Sequence, residues 1–174
     1  MPKSIRPAIR ELSEKESRSL LARKDVGRLA YSFHDRVNIE PINYVVDGDW
    51  IYGRTSVGSK LISLAHHPWC AFEVDDVRGR FEWESAVVHG TFHLLDPEHG
   101  SVDAYDQCLR LLRLTDADTL RVDDPTPNRG SLFRIHIDEI TGRRATKTNS
   151  KGEGVRALLS RAARQNSSSA APDR

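Results

Sequence analysis

The chain has little sulfur to do chemistry with. Its two cysteines, Cys70 and Cys108, sit in the apolar settings W-C-A-F and Q-C-L-R-L-L. Neither has a C-x-x-C partner, so both read as small core residues rather than a disulfide, a metal pair or a nucleophile. Charge of one sign is also lacking: 26 Lys and Arg against 25 Asp and Glu leave a formal net charge of +1. That excludes the broad basic field that draws a protein to nucleic acid or to an anionic membrane. No apolar run approaches the about 18 residues of a membrane span, and the opening M-P-K-S-I-R-P has no apolar stretch of a secretion signal. A cytoplasmic protein without nucleic-acid or membrane partners is the expectation. Catalytic signatures are missing too. There is no Ser-His-Asp or paired-carboxylate arrangement, and D-D-V and V-D-D read as loop solvation. His66 and His67 are adjacent on a helical stretch and so point apart, while His89 and His93 share a strand face without a third ligand. No metal site is expected, and any chemistry falls to a bound cofactor.

What is present is patterning. The length of 174 residues suits one domain with tails. Residues 1–10 are polar and proline-interrupted and read as a flexible arm. Ser13 with Glu16 three residues on is a capping-box signature that predicts a helix over 14–24. After Gly27 the period changes to strand. R-L-A-Y-S-F, N-I-E-P-I-N-Y-V-V and W-I-Y-G-R-T, joined by H-D-R and D-G-D, predict an antiparallel meander, with Pro41 marking an edge, a bulge or a break in pairing. A short helix ending at Pro68 follows. Then come a strand W-C-A-F-E-V-D, a long strand over 81–95 bent at Gly90, and a helix over about 97–114. A final strand has Phe133, Ile135 and Ile137 out of phase with Leu132, Arg134, His136 and Asp138. The polar segment from residue 149 is too poor in apolar residues to order itself. The fold class expected is mainly β: a six-stranded antiparallel barrel over residues 11–148, with short peripheral helices.

Residues 53–61, G-R-T-S-V-G-S-K-L, concentrate functional side chains. Arg54 offers a planar fork, Lys60 a compact charge, and Thr55, Ser56 and Ser59 offer hydroxyls. With Ser59 as N-cap, Lys60 and Leu61 fall in a first helical turn, where free N–H groups and the helix dipole favour an anion. Two readings stand here: a capped surface helix with solvated cations, or a seat for a phosphate. The stretch is not a nucleotide-binding P-loop, because only one glycine is correctly spaced from the G-K-[ST] end.

The ordered series G-R-L-A-Y-S, P-I-N-Y-V-V-D-G-D-W-I-Y, R-T-S-V-G-S-K-L, C-A-F-E-V-D-D and W-E-S-A-V-V-H-G-T resembles the pyridoxamine-phosphate-oxidase-like split-barrel superfamily over about residues 12–146. Within it, the chain is similar to the small nitroimidazole-resistance-type flavoproteins. The resemblance implies a six-stranded split barrel that forms a homodimer and binds FMN at the subunit interface. It also implies site residues: Arg54, Thr55, Ser59 and Lys60 at the FMN phosphate, Ile42 and Asn43 beside the isoalloxazine ring, and Trp83 and Ser85 on the far wall. Some members use the deazaflavin F420 or bind haem instead. The residues that bind pyridoxamine phosphate in the true oxidases have no clear match near Arg134 and His136. The expected function is therefore an FMN-dependent oxidoreductase acting on a small acceptor, the flavin carrying the chemistry. The alternatives are a non-catalytic flavin- or haem-binding protein and an F420-dependent reductase.

Overall fold

The computed structural model describes residues 6–148, so the tail expected from residue 149 lies outside the described residues. Strand β1 (Arg6–Leu12) leads into helix α1 (Glu14–Arg23), then β2 (Val26–Phe33), β3 (Arg36–Asp47) and β4 (Trp50–Thr55). Helix α2 (Ser59–His66), β5 (Trp69–Gly79), β6 (Glu82–Leu95), helix α3 (Val102–Thr115) and β7 (Ser131–Thr148) complete the chain. Among the described residues the strands form one antiparallel sheet in the order β1-β7-β4-β3-β2-β5-β6, and a further β7–β6 pairing closes six of them into a ring. The mainly β, six-stranded barrel expected from the sequence is the architecture found.

Local chemistry sets the turns. His34 and Asp35 both take positive φ, 48° and 59°, as a two-residue hairpin loop between Phe33 and Arg36 requires. Gly48, at φ 58°, opens the β3–β4 hairpin. The bend foreseen at Gly90 is a register shift between His89 and Gly90 on β7. Glycine is needed there because a Cβ would lie 2.2 Å from the His136 carbonyl oxygen.

The barrel interior is filled by the inward phase of each strand, including Leu29, Ile51, Phe72, Val88, Phe133 and Ile135. Helices α1 and α2 add Leu20, Leu21 and Leu64 to the same core. The outward phase makes a second cluster in which Ala104, Cys108 and Leu112 of α3 cover Tyr52, Leu95 and Leu132. Each fully buried Leu, Ile, Val or Phe among them contributes about 1.5–3 kcal/mol.

One segment departs from the sequence reading. Residues 6–12, expected largely as a flexible arm, form β1 and pair with β7 from Arg6↔Thr148 to Leu12↔Gly142. The strand carries no apolar alternation because its stability is not a matter of burial: Ile9 is 60% exposed. It takes up the half of β7 that β4 leaves free, since β4 pairs only with Ser131–His136. Arg10 anchors it to α1 through two bonds to Glu16, at 2.6 and 3.0 Å. Glu16 in turn accepts from the Ser13 backbone N–H in a capping box.

Candidate functional site

β4 follows β3 only as far as Tyr44↔Gly53. Beyond that rung it continues with β7 to Thr55↔Ser131, while β3 runs back beside β2. The barrel is split at this point, and among the described residues one edge of β3 has no strand neighbour over residues 36–43. A cleft of about 250 Å³ opens there, lined by Glu40, Ile42, Arg54, Thr55, Ser59, Lys60 and neighbouring loop residues.

The N-cap of α2 is Gly58, one residue earlier than the sequence suggested, because Leu61 N–H and Ile62 N–H both donate to the Gly58 carbonyl at 3.1 and 3.3 Å. Ser59 therefore sits within the first turn, and among the described residues no side chain caps the helix start. Lys60 is 8% exposed. Its Nζ donates to Thr55 Oγ1 at 3.0 Å and pairs with Glu40 Oε2 at 2.6 Å. Glu40 also accepts from the Tyr31 hydroxyl at 2.6 Å. Burial pushes the Glu40 carboxyl up, but the bonds from Lys60 and Tyr31 outweigh it and hold the group below the usual carboxylate range. Burial first, and Glu40 second, push the Tyr31 phenol up to about 12.

Arg54 is occupied differently. Its guanidinium is bidentate to Asp124 and also donates to Thr126 Oγ1 at 2.8 Å and Asp116 Oδ2 at 3.3 Å. Asp124, read from V-D-D as loop solvation, is instead buried, its side chain 2% exposed. The Arg54 bond, with backbone N–H donors from Thr126 and Leu120, holds its carboxyl far below the usual range. The segment between α3 and β7 is thus pinned against β4.

The structure gathers Ile42, Arg54, Thr55, Ser59 and Lys60 around one cleft. Asn43 lines an adjoining cavity of about 320 Å³ that shares Arg54 and Arg129 with the first. Trp83 and Ser85 lie elsewhere in the same chain, on β6: Trp83 in a small cleft with Asp76 and Arg144, Ser85 in a groove with Leu12 and Arg143. Arg134 is stacked on Trp50 at 3.8 Å and His136 is bonded to Asp138 at 2.6 Å, neither facing this cleft. Sequence reasoning missed Glu40, Asp124 and Arg129. Only Asp124 had a local signal, the D-P-T order in which an aspartate accepts from the N–H two residues on.

A ring of six strands broken beside β3, with a buried lysine at the break, defines a split-barrel protein. Residues 13–144 match the family described as pyridoxamine 5'-phosphate oxidase, and the chain belongs to that family. No curated protein matches it. Among solved structures, it is similar to a FAD-binding protein of Mesorhizobium loti, at 25% identity and TM-score 0.64, covering 80% of this chain and 98% of that one. A putative pyridoxamine 5'-phosphate oxidase from Corynebacterium glutamicum is 27% identical with TM-score 0.57, over 81% and 96% of the two chains. A FAD-binding protein from Mycobacterium smegmatis is 26% identical with TM-score 0.53, over 79% and 98%. A putative 5-nitroimidazole antibiotic resistance protein from Bacteroides thetaiotaomicron, 12% identical with TM-score 0.61 over 84% and 95%, shares the fold.

Proposed function

We propose that the protein binds a flavin by its phosphate in the split between β3 and β4, and that it works as a flavin-dependent oxidoreductase on a small acceptor. The observation that carries this reading is the juxtaposition of a buried ammonium, Lys60, with the Thr55 hydroxyl at a helix start that no side chain caps. Family membership and the FAD-binding names of two similar structures support it.

The residues present fit such a group. Lys60 and Thr55 face the place where a phosphate would sit, Ser59 adds a hydroxyl, and the first-turn N–H groups of α2 add donors. The free edge of β3 at Ile42 and Asn43 offers backbone groups to the ring. The bound flavin would supply the electron transfer. The chain's own contribution is to hold the phosphate, to orient the ring along the β3 edge and to keep water away from one face. No side-chain acid or base is needed, and none is assigned.

FMN is the smallest flavin that satisfies the phosphate seat. FAD is the second reading, favoured by the adjoining cavity beyond Arg54 and Arg129 and by the names of the relatives. The protein is proposed to act as a homodimer. Val37 and Trp69 are 74% and 71% exposed and border an apolar groove of about 520 Å³ across β3, β2 and β5, a patch of the kind that marks an interface. A second copy would supply Trp83 and Ser85 to the far wall.

The test is ligand release from native protein followed by mass spectrometry, with visible spectra of the holoprotein. Flavin absorbance with the mass of FMN or FAD is expected. NAD(P)H bleaching, then recovery with an acceptor, marks an enzyme rather than a carrier. A colourless protein that takes up no flavin overturns the proposal, and a haem Soret band or F420 uptake replaces it.

A further inference from the structure

We infer that Arg129, rather than Arg54, is the guanidinium that meets the cofactor's phosphate, and that Arg54 is a positioning residue acting through Asp124 and Thr126. The inference rests on the flavin-phosphate reading and names the side chains that serve it. Among the described residues three cations line the cleft: Arg54, Lys60 and Arg129. Two are already engaged. Arg54 engages both terminal nitrogens with Asp124, Asp116 and Thr126, and its side chain is 11% exposed. Lys60 is paired with Glu40. Among the described residues, no carboxylate lies within ion-pairing distance of the half-buried Arg129.

A continuous set of bonds runs from Arg54 to Arg129. Asp124 accepts from Arg54 on one side and from the Thr126 backbone N–H at 2.8 Å on the other. Thr126 Oγ1 accepts from Arg54 at 2.8 Å, and its carbonyl accepts from the Arg129 N–H at 3.0 Å. The turn at residues 126–129 is therefore fixed by the buried pair, and Arg129 leaves it toward the cleft. An arginine whose charge is already shared by two carboxylates offers a phosphate little net attraction unless it gives up a buried anion, which is costly. A guanidinium without such a partner gains the bidentate contact directly.

The experiment titrates the full chain with FMN and with riboflavin, which lacks the phosphate, for wild type, Arg129→Ala, Arg129→Lys, Arg54→Ala and the double alanine variant. Wild type is expected to prefer FMN. Arg129→Ala should weaken FMN about 10- to 100-fold, the range for a charged hydrogen bond, with riboflavin affinity unchanged and Arg129→Lys partly restoring FMN. Arg54→Ala should lower the FMN preference, and the double variant should lose little beyond Arg129→Ala, since both act on one contact. An unchanged FMN-to-riboflavin ratio in Arg129→Ala overturns the inference while leaving the phosphate seat intact. Fully additive losses assign a direct contact to Arg54 and overturn its positioning role. A wild type that does not distinguish FMN from riboflavin removes the seat and the inference with it. Should Arg54→Ala fail to fold, Asp124→Asn takes its place in the cycle.

Discussion

Glu40 occupies the lysine that a phosphate would need, so replacing Glu40 by Gln should strengthen FMN binding while weakening the apoprotein. A carboxylate about 5 Å from a bound phosphate charge repels it by about 3 kcal/mol at an effective dielectric of about 20. The Glu40 side chain is 41% exposed, and solvent screening reduces that to about 1–2 kcal/mol, or roughly 5- to 30-fold in dissociation constant. On the stability side, Lys60 keeps Thr55 but exchanges a 2.6 Å ion pair for a neutral acceptor, a loss of about 1 kcal/mol. Fluorescence titration with FMN and riboflavin, alongside urea unfolding of the apoprotein, reads both terms. Tighter FMN, unchanged riboflavin and a lower unfolding midpoint are expected. The same competition sets a pH dependence. With the Glu40 pKa held below its ordinary value, its pairing stabilises the fold above the unfolded carboxylate pKa and is lost as pH falls through the lowered one. If FMN affinity falls together with stability, Glu40 is part of the seat and the reasoning about competition is wrong.

The bond from Arg10, then the capping N–H of Ser13, hold the Glu16 carboxyl down to about 2, so its contribution to the β1–α1 clip is present above about pH 4.5 and is lost as pH falls through about 2. Amide protection over residues 7–12 should fall across that window in wild type, and Glu16→Gln should show the same loss at neutral pH. Gly142→Ala places a Cβ 2.5 Å from Ser17 Oγ and 2.9 Å from the Ser85 carbonyl oxygen, an overpacking that costs about 1–3 kcal/mol; an unchanged melting temperature would contradict the close approach of α1 to β7. Burial pushes the thiols of Cys70 and Cys108 up to about 12. Iodoacetamide at pH 8 should therefore label neither cysteine until denaturant is added, as the mass of the intact protein will report.

The barrel was legible wherever a residue's partner lies in its own period. Phe133, Ile135 and Ile137 point inward as their alternation says, and Cys70 and Cys108 are buried as their apolar settings say. The glycine–serine start of α2 was legible to within one residue. What escaped were features decided by distant pairing. β1 has no amphipathic signature because its partner rungs, Gly142 to Thr148, lie some 130 residues away and hold it by backbone bonds. Asp124 looked solvated because its burial depends on Arg54, 70 positions earlier. Arg54 looked free for the same reason. Trp83 and Ser85 were placed by resemblance on the far wall of the flavin site, and within one chain they line other clefts, away from Lys60.

The pairing of Arg6 with Thr148 at the outermost rung of the β1–β7 ladder gives the molecule a weak axis under tension. Force applied between these two positions separates the strands one rung at a time, like opening a zip, instead of sliding them past each other. An optical-tweezer trace should record an early, low-force release of β1, followed by a distinct rupture of the ring that β6 and β7 close. An unfoldase pulling from the N-terminal side would meet the same first barrier, shedding β1 well before the cleft beside β3 is disturbed.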